Sequence, residues 1–190
     1  MRVLVTGATG FIGVPLLEKL NRKGYQVLAL SRSAPTKREG GIEWLGCDLS
    51  LPGSYANAVK EFSPEVLIHL AWQDIPNFSL KKSRINLDQS LDFISFVIEL
   101  ATCKKIIVSG SCFELNQLQG ECSEVTQGEV RDYFTWAKHA LYSWLRMMCK
   151  QKDIQLLWMR IFYVYGPLQR SESLIPFILT NLKQGRLPEL

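Results

Sequence analysis

A chain of 190 residues that is 47% hydrophobic holds enough apolar material for one sizeable core and too little to need two. Its 22 basic and 18 acidic residues leave a formal charge of +4, with no basic run interleaved with aromatics of the kind that tracks a nucleic-acid backbone. No run of roughly 18 apolar residues is present and Met1 leads straight into an apolar segment without a basic leader, so neither membrane nor nucleic acid is expected as a partner, and a soluble cytoplasmic protein is.

Strand-length apolar runs alternate with helical patterns along the chain, which predicts an α/β fold with a doubly wound parallel sheet. The first strand is expected over Arg2–Thr6 and the first helix over Phe11–Arg22. Between them lies V-L-V-T-G-A-T-G-F-I-G, with Gly7, Gly10 and Gly13 at the strand-to-helix junction. There the first glycine makes the tight turn, the second lets the backbone approach a pyrophosphate, and the third permits close helix–strand packing. The free amides and dipole of the helix N-terminus complete an anion site, so a dinucleotide is the expected ligand.

The second strand, Gln26–Leu30, runs into Ser31, Arg32 and Ser33, with Lys37 and Arg38 close behind. A carboxylate here would hold the adenosine ribose 2′-OH and an arginine a 2′-phosphate. No carboxylate is present at this strand end and Arg32 is, so NADP(H) is preferred and NAD(H) remains possible.

Further strands are expected over Glu43–Cys47, Val66–Leu70, Lys105–Ser109 and Gln155–Ile161. Leu87, Leu91, Ile94, Val97, Ile98 and Ala101 fall on one helical stripe, and Phe134, Ala137, Leu141, Leu145 and Met148 on another. Gly110–Glu129 reads as the longest irregular segment, following a strand where active-site loops of such folds lie. His69, alone at a buried strand end, reads as structural, and Cys112 as a packing residue. Five scattered cysteines without a C-x-x-C pair, and two histidines in all, point to neither a disulfide framework nor a metal site.

These segments together resemble the extended short-chain dehydrogenase/reductases, the NAD(P)-dependent epimerase/dehydratase family. The resemblance rests on TGATGFIG, C-D-L at Cys47–Leu49, I-H-L-A at Ile68–Ala71, Asn86 opening a helix, S-G-S-C-F-E at Ser109–Glu114 and R-I-F-Y-V-Y-G-P at Arg160–Pro167. It implies cofactor contacts from Gly7, Thr9, Gly10, Phe11, Ile12, Gly13 and Arg32, and from Asp48 and Leu49 at the adenine edge. It implies further contacts from Leu70, Ala71 and Trp72 beneath the nicotinamide ribose, and from Ser109 and Lys138. The stretches H-L-A-W-Q-D-I-P-N-F and S-G-S-C-F-E are most similar to bacterial reductases of dTDP-4-keto-6-deoxy sugars.

By the same resemblance a tyrosine acts as acid/base, a lysine one turn later lowers its pKa, and a hydroxyl steadies the carbonyl oxygen. Ser111 matches the hydroxyl residue and Lys138 the lysine, but Phe134 stands where the tyrosine belongs. Tyr133 lies roughly 140° around the helix from Lys138 and substitutes only if the first turn is irregular. Three readings stay open: Tyr133 takes the role, Ser111 and water suffice, or the protein binds dinucleotide without turnover. Dehydratase relatives place an Asp-Glu pair where this chain has Cys112-Phe113, which disfavours dehydration.

The expected function is therefore NADP(H)-dependent reduction of the 4-keto group of a nucleotide-diphosphate 6-deoxy sugar. The alternatives are an NAD-dependent sugar-nucleotide epimerase and a non-catalytic dinucleotide-binding protein. Residues 1–165 are expected to form the dinucleotide domain and 166–190 the start of an incomplete substrate region, since family members run roughly half again as long. The helix from Phe134 onward carries enough apolar surface for a possible homodimer.

Overall fold

Six short apolar runs become six parallel strands in the computed structural model, which describes residues 1–33, 41–115, 120–125 and 128–187. The strands are β1 (Arg2–Thr6), β2 (Gln26–Ser31), β3 (Ile42–Gly46), β4 (Val66–His69), β5 (Lys105–Ser111) and β6 (Gln155–Ile161). The helices are α1 (Gly13–Arg22), α2 (Ala56–Phe62), α3 (Leu80–Glu99), α4 (Tyr133–Gln151) and α5 (Leu174–Lys183). The sheet order is β3-β2-β1-β4-β5-β6, so the chain builds outward from β1 in one direction and then in the other, as in a Rossmann fold.

Strand alternation explains why both faces are covered. Val3 and Val5 of β1 pack with Val27, Ala29, Val66 and Ile68 beneath Leu17 and Leu20 of α1. Leu4, Leu28, Leu67 and Ile106 face the other way, onto Phe93 and Ile94 of α3 and Leu141 and Leu145 of α4. Two buried faces require near-continuous apolar strands, which is what β1, β2 and β4 have. Among the described residues no helix is long and apolar enough to cross a membrane.

Strands β2, β3 and β4 end or begin one residue from the sequence reading and α1 starts at Gly13 rather than Phe11, while β5 and α3 differ by more. β5 continues to Ser111 and Cys112–Glu114 form a 3₁₀ turn, so the segment read as irregular from Gly110 opens with ordered backbone. The pairing of Gly110 with Arg160 and Ser111 with Ile161 extends the strand where propensity alone would end it. Helix α3 begins at Leu80 and not at Asn86, which lies buried inside it. Asn86 faces a loop instead: its Oδ1 accepts the Gln73 amide at 2.7 Å and its Nδ2 donates to the Gln73 carbonyl at 3.2 Å. α2 had no sequence expectation, its seven residues being too few to show a period.

Candidate active site

β1 and β4 lie side by side at the point where the winding of the sheet reverses, and their carboxyl ends open a crevice. Gly7 turns the chain there with φ +68°, and a Cβ on it would lie 2.8 Å from the Ala71 amide nitrogen. A Cβ on Gly13 would lie 2.4 Å from the Gly7 carbonyl oxygen, so the loop and α1 meet at a distance that only glycine permits. Among the described residues no side chain caps α1. The Val14 amide donates to the Gly10 carbonyl at 3.0 Å and Pro15 has no N–H, so an anion at this end would meet the backbone of residues 11–13 leading into the helix, beside Gly10 in the crevice.

Two clefts adjoin along this crevice. The first is lined by Gly7, Thr9, Gly10, Arg32, Asp48, Leu49, Leu70, Ala71 and Trp72. The second is lined by Phe11, Ile12, Gly13, Ser109, Ser111, Phe134 and Lys138. Gly7, Gly10, Leu70 and Trp72 border both, making one trough across the strand ends. Every cofactor residue expected from the sequence lines one or the other. Lys37 and Arg38 lie outside the described residues.

The first cleft is polar at its far end. Thr9 Oγ1 and Ser31 Oγ are 2.9 Å apart, and Arg32 Nη1 donates to Gln73 Oε1 at 3.4 Å. Asp48 Oδ1 accepts from the Ser50 amide and hydroxyl at 2.8 and 2.7 Å, and these bonds hold its carboxyl below the usual carboxylate range. Arg32 stands near enough to Asp48 and Asp74 to lower both electrostatically.

Beneath the crevice a buried hydrogen-bond chain fixes the backbone. The Ala71 amide donates to Thr6 Oγ1 at 3.3 Å, leaving the Thr6 hydroxyl to donate to His69 Nδ1 at 2.9 Å. His69 Nε2–H then donates to Ser90 Oγ at 3.1 Å, and Ser90 to the Asn86 carbonyl at 2.7 Å. This ordering needs a neutral imidazole. Burial, together with the nearby Lys138 charge, pushes the His69 pKa down to about 3. His69 is a structural residue, as its sequence setting suggested.

The second cleft holds the chemical groups. Lys138 is 3% exposed, donates from Nζ to the Ser109 carbonyl at 2.8 Å, and lies 3.7 Å from the Trp72 ring centroid. Burial pushes its pKa down to about 7, partly offset by the negative charge of Glu114. Ser111 Oγ accepts the Phe113 amide at 3.2 Å. Phe134 packs on Phe78, ring centroids 4.7 Å apart, and edge-on to Trp72 at 5.5 Å.

Tyr133 is not brought to this group. α4 starts regularly: Asp132 Oδ1 accepts the Thr135 amide at 2.7 Å and Thr135 Oγ1 accepts the Asp132 amide at 3.2 Å. That reciprocal cap removes the irregular first turn on which a role for Tyr133 depended, and its side chain is 52% exposed. Tyr142 faces away as well, against Trp158 at 5.1 Å between ring centroids. Cys112 is buried, which pushes its thiol pKa up and suits packing rather than nucleophilic work.

Sequence reasoning did not single out Thr6, Gln73, Phe78 or Trp158. Each acts through a contact between distant segments, which local spacing does not encode.

A family model described as "NAD dependent epimerase/dehydratase family" matches residues 3–190. Among curated proteins, dTDP-6-deoxy-L-talose 4-dehydrogenase (NAD(+)) of Aggregatibacter actinomycetemcomitans is 26% identical over 182 residues, covering 94% of this chain and 67% of that protein. UDP-glucose 4-epimerase of Thermotoga maritima, solved with UDP-glucose, superimposes with a TM-score of 0.84 at 20% identity, over 98% of this chain and 64% of its own. The Thermus thermophilus UDP-glucose 4-epimerase complex with NAD gives 0.83 at 22% identity, over 100% and 64%. The chain thus spans about two thirds of the length of these proteins.

Proposed function

This chain belongs to the NAD dependent epimerase/dehydratase family, and from that premise we propose that it reduces the 4-keto group of a nucleotide-diphosphate 6-deoxy sugar, taking NADP(H) ahead of NAD(H). The observation carrying this reading is the continuous trough: the glycine loop lines one end, and Ser111 and Lys138 the other.

The residues suit a dinucleotide. The backbone of residues 10–13 would hold the pyrophosphate, Asp48 and Leu49 the adenine edge, Arg32 a 2′-phosphate, and Lys138 the nicotinamide ribose. When bound, a nicotinamide supplies or accepts the hydride. Ser111 would donate its hydroxyl hydrogen to the substrate carbonyl oxygen, steadying negative charge as it develops. Phe134 has no proton to give, so the proton reaches that oxygen from water beside the Lys138 ammonium. Residues 1–165 form the dinucleotide unit in this reading, and 166–190, including α5, begin the sugar-binding region.

Phe134 also favours a second reading, a dinucleotide-binding protein without turnover. NAD(H) in place of NADP(H) is supported by the cofactor named for the talose dehydrogenase relative. Calorimetric titration with NADPH and with NADH, followed by single-turnover mixing with a dTDP-4-keto-6-deoxyhexose, tests all three. NADPH-selective binding with oxidation of the cofactor supports the proposal; NADH-selective binding with oxidation replaces NADP(H) by NAD(H); binding without oxidation supports the silent protein; no binding to either overturns all three.

A further inference from the structure

Glu114 stands out as a fully buried carboxylate, 0% exposed, that the proposed reaction does not use. Its Oε1 accepts the Ser111 backbone amide at 2.6 Å, and its Oε2 accepts the Trp158 indole N–H at 2.9 Å. Arg160 Nε lies 3.7 Å from the same Oε2, while Arg160 Nη1 donates to the Glu124 carbonyl at 2.9 Å. Trp158 and Arg160 are alternate residues of β6, paired in register with Val108 and Gly110, so the carboxylate is anchored to the neighbouring strand at two points. A Cβ on Gly110 would come within 2.3 Å of Trp158 Nε1 and 2.8 Å of Glu114 Oε1. The glycine of S-G-S is the space through which the carboxylate reaches Ser111.

A carboxylate taken out of water is costly unless its oxygens are bonded and its charge balanced. Two hydrogen bonds and one guanidinium supply that balance, and the return is a fixed backbone at the end of β5. We propose that Glu114 is a positioning residue, which locks the Ser111 backbone to β6 and supplies the negative charge that balances the buried Lys138 ammonium. The inference rests on the reading of Ser111 and Lys138 as the chemical pair. Among the described residues, Lys138 is within electrostatic reach of Glu114 from the 3₁₀ turn and of His69 from β4, which is neutral, and Arg160 of β6 pairs with Glu114.

Glu114→Gln removes the charge in nearly the same volume, and Glu114→Asp keeps the charge but shortens the reach to Ser111. In chain labelled at lysine and at backbone amides, NMR reads the Lys138 titration midpoint and the hydrogen exchange of the Ser111 amide. Glu114→Gln is expected to lower the Lys138 midpoint by about one unit, because an opposite charge favouring the ammonium is gone. Glu114→Asp is expected to leave that midpoint near its wild-type position while exchange at Ser111 quickens by about tenfold, the effect of one lost hydrogen bond. A purely structural role would not separate the two readouts. An unmoved Lys138 midpoint in folded Glu114→Gln overturns the proposal; if that variant does not fold, unchanged Ser111 protection in Glu114→Asp overturns it. Neither readout needs cofactor or substrate, so failure of the wild-type chain to bind NADPH or NADH sinks the proposed function and leaves this test standing.

Discussion

The Lys138 ammonium lies over the face of the Trp72 ring, 3.7 Å from its centroid, and both side chains line the same cleft. A desolvated cation on an indole face is worth about 1–2 kcal/mol. A double-mutant cycle of Trp72→Leu and Lys138→Met, followed by urea denaturation, is expected to show a coupling of about 1 kcal/mol. Additive losses would mean that the two side chains merely sit near each other.

Phe134→Tyr places a hydroxyl-bearing ring one helical turn before Lys138, on the lining of the cleft. Turnover of a 4-keto-6-deoxy sugar nucleotide is expected to rise by about 10² or more, the usual contribution of a positioned acid. The gain should vanish when Lys138→Met is added. Steady-state kinetics on the three proteins decide it; a rate equal to wild type would show that the proton already has an efficient source.

Gly7→Ala combines a left-handed backbone position with a Cβ 2.8 Å from the Ala71 nitrogen. The expected cost is about 2 kcal/mol or more of stability, with loss of dinucleotide binding. Thermal unfolding and calorimetry together check it, and normal affinity would remove the loop from the site.

Stability should rise with pH across two windows. His69 holds a pKa of about 3 when folded against 6.5 when unfolded, so the unfolded chain binds the extra proton and stability falls as the pH drops below 6.5. The slope is about 1.4 kcal/mol per pH unit. Lys138, at about 7 folded against 10.5 unfolded, acts in the same sense between those values. Urea midpoints measured from pH 5 to 9 are expected to climb, and a flat lower limb would contradict the neutral, buried imidazole.

Arg32→Ala is expected to weaken NADPH binding by about tenfold while leaving NADH within a factor of two, the loss of one charge-assisted phosphate contact. Equal losses for both cofactors would assign Arg32 to the Gln73 contact it makes in the free protein.

The sheet was legible because a parallel strand buried on both faces must be near-continuously apolar, as β1, β2 and β4 are, while the outer strands β3 and β6 still carry apolar runs of strand length. The glycine loop was legible because its spacing carries its own geometry. The start of α3 was not: Leu80, Lys81 and Lys82 precede the apolar stripe, and the first turns of the helix carry little hydrophobic signal. The place of Tyr133 could not be read either, since it depends on whether Asp132 and Thr135 close a reciprocal cap. Glu114 was visible in the sequence only as a carboxylate offset from a dehydratase pattern. Its inward orientation follows from Trp158 and Arg160, more than 40 residues away on the next strand.

The space at Gly110 couples three positions in any future variation of this chain. A side chain there would meet the Trp158 indole and the Glu114 carboxylate together, so no single replacement can be accommodated by moving one of them alone. Position 110 can enlarge only if position 158 shrinks, and the lost indole N–H would then leave Glu114 Oε2 in want of another donor. Substitutions at 110, 114 and 158 are therefore expected to be strongly epistatic, and libraries that randomise them jointly should recover folded proteins that single-site scanning cannot reach.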